Sequence, residues 1–202
     1  YRRGEHFQLG PLTLTNPIYG DIDLGFAQGG SARKIAGIVG YDVLARSVVE
    51  LEVGTPRIAL HDPATYTLSG GEWQDLTLHA NHACFRARYE GEHEGLFRLD
   101  TGATGTVTFH APTVRRFELL KDREVLANQS SGVGGSASAP EGVLKWFELA
   151  GHRFEAPRVE FSQATSGAFT DVYTDGNIGQ QFLKPFKIVL DYRHDRIAFV
   201  AL

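Results

Sequence analysis

Alternating apolar and polar residues mark short strands along most of the chain. Apolar positions recur at every second residue through 82–90 and 95–100, with a turn around Gly91 between the two runs. Residues 112–120 differ, because they begin with a proline and continue with apolar residues at helical spacing. The pattern therefore predicts a mostly β protein with short helices.

The chain contains an internal repeat. Residues 37–60 align with 176–199 at an offset of 139 without a gap, and 7 of the 24 positions are identical. Further upstream, FQLGPLTLTNPIY (7–19) aligns with FELAGHRFEAPRV (147–159) at an offset of 140. Since the period is too long for a solenoid, we interpret the repeat as a duplicated lobe. The expected helices are 41–46 and 180–184, and the expected strand pairs are 48–53 with 57–61 and 186–192 with 196–201.

The two copies also predict how the chain divides into domains. Residues 1–63 correspond to the C-terminal remainder of a first lobe, and residues 64–202 correspond to a complete second lobe.

Composition excludes several classes of partner. The net charge is −4 and the basic residues are scattered, so neither nucleic acid nor an anionic membrane surface is expected as a partner. No apolar run approaches the roughly 18–20 residues that a membrane-spanning helix needs. Cys84 is the single cysteine, so the chain has no internal disulfide.

The stretch FRLDTGATGTVTFH (97–110) holds the candidate chemistry. An apolar strand ends there on Asp100, Thr101 and Gly102, a tripeptide that also occurs in ordinary turns. Two further features give it a context: the glycine-rich segment SSGVGG at 130–135, and an apolar residue followed by glycine at 178–179.

Together these motifs resemble the aspartic peptidases, specifically the bacterial retropepsin-like aspartyl proteases. The matching segments are LDTGA (99–103), SSGVGG (130–135), GIVGYDVL (37–44) and GNIGQQFL (176–183), so the resemblance covers nearly the whole chain. It implies an all-β fold of pepsin/retropepsin-like acid protease barrel lobes with short helices. It also implies aspartic endopeptidase activity on peptide or protein substrates, without a cofactor.

The resemblance assigns roles to individual residues. Asp100 would be one member of an aspartate pair that activates a water molecule, with Thr101 and Gly102 completing its loop. The closing motif, Ile178 and Gly179, would lie beneath this loop. The implied substrate-binding residues are Ala103 next to the loop and Gly132, Val133, Gly134 and Gly135 in a flap.

Only one Asp-Thr-Gly tripeptide is present, although the chemistry needs two acids. Asp21 and Asp23 are not followed by Thr-Gly, and the repeat offset puts the first copy's acid before Tyr1, about 40 residues upstream. The sequence contains no methionine, and we interpret it as an internal fragment whose missing segment holds the partner acid.

Two alternatives remain open at this point. Two copies of residues 64–202 could pair, so that each chain contributes Asp100 to one homodimeric site. The fold could instead bind extended peptides without cutting them, by main-chain pairing in a β groove.

Other candidate sites are disfavoured. His79, His82 and Cys84 are residue types that bind metal ions, but on one strand residues i and i+3 point to opposite faces, so we expect no metal site. Asp175 is interpreted as a turn residue before the second glycine motif. The sequence leaves localisation open, while the resemblance favours an extracytoplasmic protein, either periplasmic or secreted.

Overall fold

The computed structural model describes residues 1–10, 12–21, 35–132 and 135–202. It contains many short strands and three short helices, so the expected all-β fold is confirmed. The described residues form two compact units, Tyr1–Val43 and Leu44–Leu202.

The first unit contains two pairs of antiparallel strands. The strands are β1 (Arg2–Arg3), β2 (His6–Leu9), β3 (Leu12–Thr15) and β4 (Ile18–Tyr19), with β1 paired to β4 and β2 paired to β3. Helix α1 (Tyr41–Leu44) follows at the boundary between the units.

The second unit contains the remaining strands and two helices. Before the middle of the chain lie β5 (Val48–Glu52), β6 (Arg57–His61), β7 (Trp73–Asp75), β8 (Thr77–His79), β9 (His82–Tyr89), β10 (His93–Leu99), β11 (Val107–Phe109) and α2 (Ala111–Arg116). After it lie β12 (Val125–Leu126), β13 (Gln129–Gly132), β14 (Gly135–Ser138), β15 (Glu141–Val143), β16 (Trp146–Leu149), β17 (His152–Glu155), β18 (Arg158–Phe161), β19 (Gly176–Ile178), α3 (Gln180–Leu183), β20 (Phe186–Asp191) and β21 (Arg196–Ala201).

The larger sheet of this unit has an inserted central strand. Its order is β12-β15-β18-β11-β19-β10-β9-β16-β17, and β8 pairs with β9. Strand β19 lies between β10, with which it is parallel, and β11, with which it is antiparallel. Since residues 100–106 connect β10 to β11, this loop must cross the end of β19.

Aromatic side chains fill the core of this sheet. Phe97 of β10 contacts Tyr89, Phe109 and Phe147 edge to face, with ring centroids 5.3–5.9 Å apart. All four rings are fully buried, and rings of this size dominate the apolar area removed from water in a core. The strand that ends at Asp100 is therefore anchored in the best-packed part of the unit.

The second sheet has a local two-fold arrangement. Its order is β6-β5-β20-β21-β7, and its two central strands pair with Val49 opposite Leu190 and Leu51 opposite Ile188. At the repeat offset of 139, Val49 corresponds to Ile188 and Leu51 to Leu190, so each pair maps onto the other. The two repeated hairpins, β5–β6 and β20–β21, are thus related by a local two-fold axis. The axis passes through the residue pair between these two, Glu50 opposite Val189.

Element bounds reproduce the repeat at several places, although residues 37–39, the counterpart of β19, form no strand. Helix α1 and helix α3 start and end 139 residues apart, and the hairpin β2–β3 matches β16–β17 at an offset of 140. The left-handed residue that follows each hairpin also matches, Asn16 with φ 52° and Ala156 with φ 48°. The duplication predicted from sequence is confirmed.

One local expectation is wrong. His79 and His82 do not share a strand, because Ala80 and Asn81 adopt positive φ and form a tight turn between β8 and β9. The two histidines are directly opposed across this hairpin and lie on one face of the sheet. Within the described ranges, no group of three or more His, Cys, Asp or Glu side chains could hold a metal ion. In the same ranges no helix has the length and apolar character needed to span a membrane.

Candidate active site

The loop of residues 100–106 is fastened to β19 along its length. The Asp100 amide donates to the Ile178 carbonyl at 3.0 Å, and the Gly179 amide donates to the Thr106 carbonyl at 2.6 Å. At the start of α3, the Gln180 amide donates to the Ala103 carbonyl at 2.8 Å. Backbone hydrogen bonds therefore position the loop, as expected for a loop that rests on the closing motif.

Glycine is required at both ends of β19, because other backbone segments press against it. A Cβ atom at Gly179 would lie 2.6 Å from the Gly105 carbonyl oxygen and 3.0 Å from that of Ala103. A Cβ atom at Gly176 would lie 2.5 Å from the Thr108 carbonyl oxygen. The spacing of the two glycines in the motif thus equals the length of the strand that the loop encloses.

The carboxylate of Asp100 is half-buried and faces three N–H donors. Its Oδ1 accepts from the amides of Gly102 at 3.1 Å and Ala103 at 3.0 Å. Its Oδ2 accepts from Nδ2 of Asn177 at 2.8 Å. Together these three donors fix the orientation of the carboxylate.

The structure brings the predicted loop residues together. Thr101 and Gly102 are exposed beside Asp100, and Ala103 is half-buried. The carbonyl of Thr101 accepts from Nε2 of Gln180 at 2.8 Å, which ties the loop to α3.

A chain of polar side chains extends behind Asp100. Asn177 Oδ1 lies 2.9 Å from Nε2 of His110, a fully buried histidine that follows β11. The other ring nitrogen, Nδ1, lies 3.0 Å from the Thr174 carbonyl oxygen and 3.2 Å from the Thr174 hydroxyl. That hydroxyl donates to Asp171 Oδ2 at 2.6 Å. The sequence did not predict this series of hydrogen bonds. The available signal was that Asn177 is polar, whereas the equivalent residue of the first copy is Ile38.

The polar chain ends on a buried ion pair. Arg98 of β10, itself buried, donates from Nη2 to Asp171 Oδ2. Burial alone would raise the pKa of Asp171, but hydrogen bonds from Thr174, the Tyr173 amide and Arg98 outweigh it and lower the pKa to about 2. The carboxylate of Asp171 therefore stays ionised in mildly acidic solution.

Burial has the opposite consequence for His110. Desolvation lowers its pKa below the ordinary value, and the positive charge of Arg98 acts in the same direction. The hydrogen bond with Asn177 opposes this shift without reversing it. The neutral form of the His110 ring, which has a single N–H proton, is therefore favoured.

Asp175 is not the simple turn residue that the sequence indicated. It is buried, and its Oδ2 accepts from the Leu96 amide at 2.9 Å while its Oδ1 accepts from Thr113 at 3.2 Å and Arg116 at 2.9 Å. Position in the repeat did not reveal these partners, because they come from β10 and α2. Asp175 ties the start of β19 to both elements.

The glycine-rich segment forms the hairpin expected of a flap. Strands β13 and β14 pair antiparallel, with Gly132 opposite Gly135. Val133 and Gly134, the other two predicted substrate-binding residues, lie outside the described residues. At the base of the hairpin, Nδ2 of Asn128 donates to Glu160 Oε1 at 3.0 Å, so the hairpin is anchored to β18.

Comparison with known proteins finds one matching family. Its description is Aspartyl protease, and its sequence profile matches residues 85–182, just under half of the chain. The matched segment runs from β9 through Asp100 to α3, and so includes the whole loop and the strand that it encloses. No curated protein matches the chain closely enough to count as a relative.

Solved structures that match include two proteases. A retropepsin-like aspartic protease from Rickettsia conorii is 16% identical, with 68% of this chain and 100% of that chain covered and a TM-score of 0.46. EIAV protease complexed with an inhibitor is 16% identical, with 59% of this chain and 91% of that chain covered and a TM-score of 0.37.

The close approach of the loop to Gly179 predicts a selective effect of alanine. Gly179→Ala should lower the free energy of unfolding by about 1–3 kcal/mol, since the methyl group meets backbone atoms that cannot move independently. Gly105→Ala is the matched control, because no described residue lies within 4 Å of a Cβ atom there. Urea unfolding of both variants measures the difference, and equal stabilities would contradict the described crossing.

The ion pair of Asp171 predicts a defined acid dependence of stability. The pKa of about 2 in the folded protein is below the ordinary value of 3.8, so the stabilisation is present above pH 4 and is lost as the pH falls towards 2. It amounts to about 2 kcal/mol. The stability difference between wild type and Asp171→Asn should therefore shrink between pH 5 and pH 2 in urea titrations. Asp75→Asn, at an exposed carboxyl, serves as the control, and a difference that does not change with pH would refute the assignment.

Proposed function

We propose, because residues 85–182 match the aspartyl protease family, that the protein hydrolyses peptide bonds with a pair of aspartates, one of which is Asp100. The observation on which the proposal rests is the carboxylate of Asp100, held by the amides of Gly102 and Ala103 at the end of a well-packed strand. An acid held in one orientation before substrate binds is suited to general acid–base chemistry.

The reaction needs a second acid close to the first. Two neighbouring carboxylates share one proton, because like charges at short distance disfavour double ionisation. The ionised member removes a proton from a water molecule, whose oxygen bonds to the peptide carbonyl carbon. The protonated member donates to the carbonyl oxygen, and the C–N bond breaks once a proton has reached the nitrogen.

We propose that the second acid comes from a segment that covers residues 37–40. No described residue covers this copy of the glycine motif: Ile38 is 66% exposed and Val39 is 43% exposed, whereas Ile178, the counterpart of Val39, is fully buried. A methyl group at Gly37 or Gly40 would meet no described residue within 4 Å. The first copy nevertheless keeps the spacing of the two glycines that enclose β19 in the second copy. This supports the proposal that a strand–loop–strand segment like residues 96–109 covers residues 37–40.

The same observation favours a two-lobed protein over pairing of identical second lobes. In each copy of residues 64–202, the loop that contains Asp100 already encloses its own β19. It is therefore not available to cover residues 37–40 of another chain. We therefore propose that the covering segment is a distinct one, in the same polypeptide or in another, and that it contains the second acid.

The β13–β14 hairpin supports a role in binding the substrate. It is a two-stranded antiparallel sheet of its own, with Gly132 opposite Gly135. We propose that it closes over the substrate and that Ala103, next to the catalytic loop, contacts the peptide main chain.

Replacing the acid tests the activity directly. Asp100→Asn should reduce cleavage of an unfolded protein substrate by about a hundredfold to ten-thousandfold, because an amide cannot exchange the proton. Asp122→Asn, at an exposed turn, should retain full activity. A statine-type transition-state mimic should inhibit the wild type. Unchanged turnover by Asp100→Asn would overturn the proposal.

A charge on the uncovered motif tests the assembly. Ile38→Asp should reduce kcat/KM by about tenfold or more, since covering an unpaired carboxylate is costly. Leu202→Asp, at a residue that is 68% exposed, is the control and should behave as wild type. If activity came from paired copies of residues 64–202, Ile38→Asp would be fully active.

A further inference from the structure

The β13–β14 hairpin and the loop that contains Asp100 are both fastened to one strand, β18. Resting on the proposed function, we propose that Glu160 of β18 is a positioning residue that holds this hairpin in the orientation needed to capture substrate. Glu160 acts through the hairpin rather than on the reacting atoms. Its loss should therefore weaken substrate capture and leave the rate of bond cleavage unchanged.

The loop side of this connection consists of two hydroxyl groups where the loop enters β11. Thr106, the last residue of the loop, donates from Oγ1 to the Arg158 carbonyl oxygen at 2.5 Å. Thr108 of β11 donates to Oε2 of Glu160 at 2.7 Å, and these two residues are also partners in the parallel pair β11–β18. The position of β18 is therefore fixed relative to the loop that contains Asp100.

The hairpin side uses the other oxygen of the same carboxylate. Asn128, which precedes β13, donates from Nδ2 to Oε1 of Glu160 at 3.0 Å. The Asn128 carbonyl accepts from the Ala139 amide at 3.0 Å, and this bond closes the base of the hairpin. One carboxylate thus links the base of the hairpin to the strand that leaves the loop of Asp100.

The two ends of the hairpin are held to β18 and its continuation in different ways. At the second end a main-chain bond runs from the Gln163 amide to the Ser138 carbonyl at 2.8 Å, whereas at the first end the bond joins the side chains of Asn128 and Glu160. Beyond this base, β13 and β14 pair with each other as a sheet of two strands. A rotation about the second end would separate Nδ2 from Oε1, so the side-chain bond opposes this rotation and sets the orientation of the hairpin.

This geometry predicts which kinetic constant depends on Glu160. Without the bond to Asn128 the hairpin adopts a wider range of orientations, and only a fraction of them can close over a peptide. Because the apparent affinity falls with the fraction of molecules that are competent to bind, KM should rise. Once the hairpin has closed, the reacting groups are arranged as in the wild type, so kcat should stay the same.

Separate measurement of kcat and KM on a peptide substrate tests the proposal. Glu160→Leu should raise KM about three- to tenfold and leave kcat unchanged, because one hydrogen bond to a carboxylate is lost. Glu160→Gln should restore the wild-type KM, since its amide oxygen can accept from Asn128 while its NH₂ group donates to the Thr108 hydroxyl. Glu148→Leu is the matched control, at another half-buried glutamate of the same sheet, and should leave KM unchanged.

Hydrogen exchange follows the hairpin without relying on activity. The amides of β13 and β14 should exchange about three to ten times faster in Glu160→Leu than in the wild type, while those of β10 stay protected and show that the unit is folded. Asn128→Leu removes the same bond from the other side and should have the same effect. The double variant should show no further increase in exchange or in KM, because both substitutions remove one interaction.

The outcomes separate this inference from the proposed function. If KM and the exchange of the hairpin amides keep their wild-type values in both Glu160→Leu and Asn128→Leu, the inference is overturned and the proposed function is unaffected. A fall in kcat with an unchanged KM also overturns it, since Glu160 would then act on the chemical step. A wild type that cleaves no peptide overturns the proposed function, and with it the role of the hairpin in capturing substrate.

Discussion

The insertion of β19 between β10 and β11 is the constraint on which the rest of the site depends. Because the two outer strands are consecutive, the loop that joins them has to cross the end of the inserted strand, and backbone atoms approach each other there more closely than a side chain would permit. Asp100 lies at the start of this crossing. Its orientation therefore follows from main-chain hydrogen bonds and from the packing of Phe97, which are both complete in the absence of substrate.

A second requirement follows from this geometry. Strand β19 occupies the centre of a sheet, yet it contains Asn177 and is preceded by Thr174 and Asp175, and each of these polar groups needs a partner. His110 and Asp171 provide partners for Asn177 and Thr174, and the Leu96 amide, Thr113 and Arg116 provide those of Asp175. Such a network is stable only when nearly all of its members are satisfied, so it rigidifies the region next to the catalytic loop. The carboxylate of Asp100 is thus held in one orientation by a buried, ordered support.

The sequence predicted those features that local pattern and repetition encode. The resemblance placed Ile178 and Gly179 beneath the loop, and the duplicated hairpins were predicted to within a residue at each end. Features that depend on contacts between distant segments were not predicted. His110 is 64 residues from Thr174, and the partners of Asp175 lie on β10 and α2. The turn at Ala80 and Asn81 was missed because alanine is rare at positive φ and no glycine marks the turn, and two strands were therefore interpreted as one.

The two-fold register of the second sheet also has a consequence for fidelity of assembly. At the axis, Glu50 faces Val189, and its carboxylate accepts from Tyr66 at 2.8 Å and from Lys187 at 3.1 Å. If two β5–β6 hairpins from separate molecules met in the same register, the two Glu50 carboxylates would oppose each other, and like charges directly opposite on neighbouring strands repel. A hairpin of this kind therefore discriminates between its divergent repeat and its own duplicate.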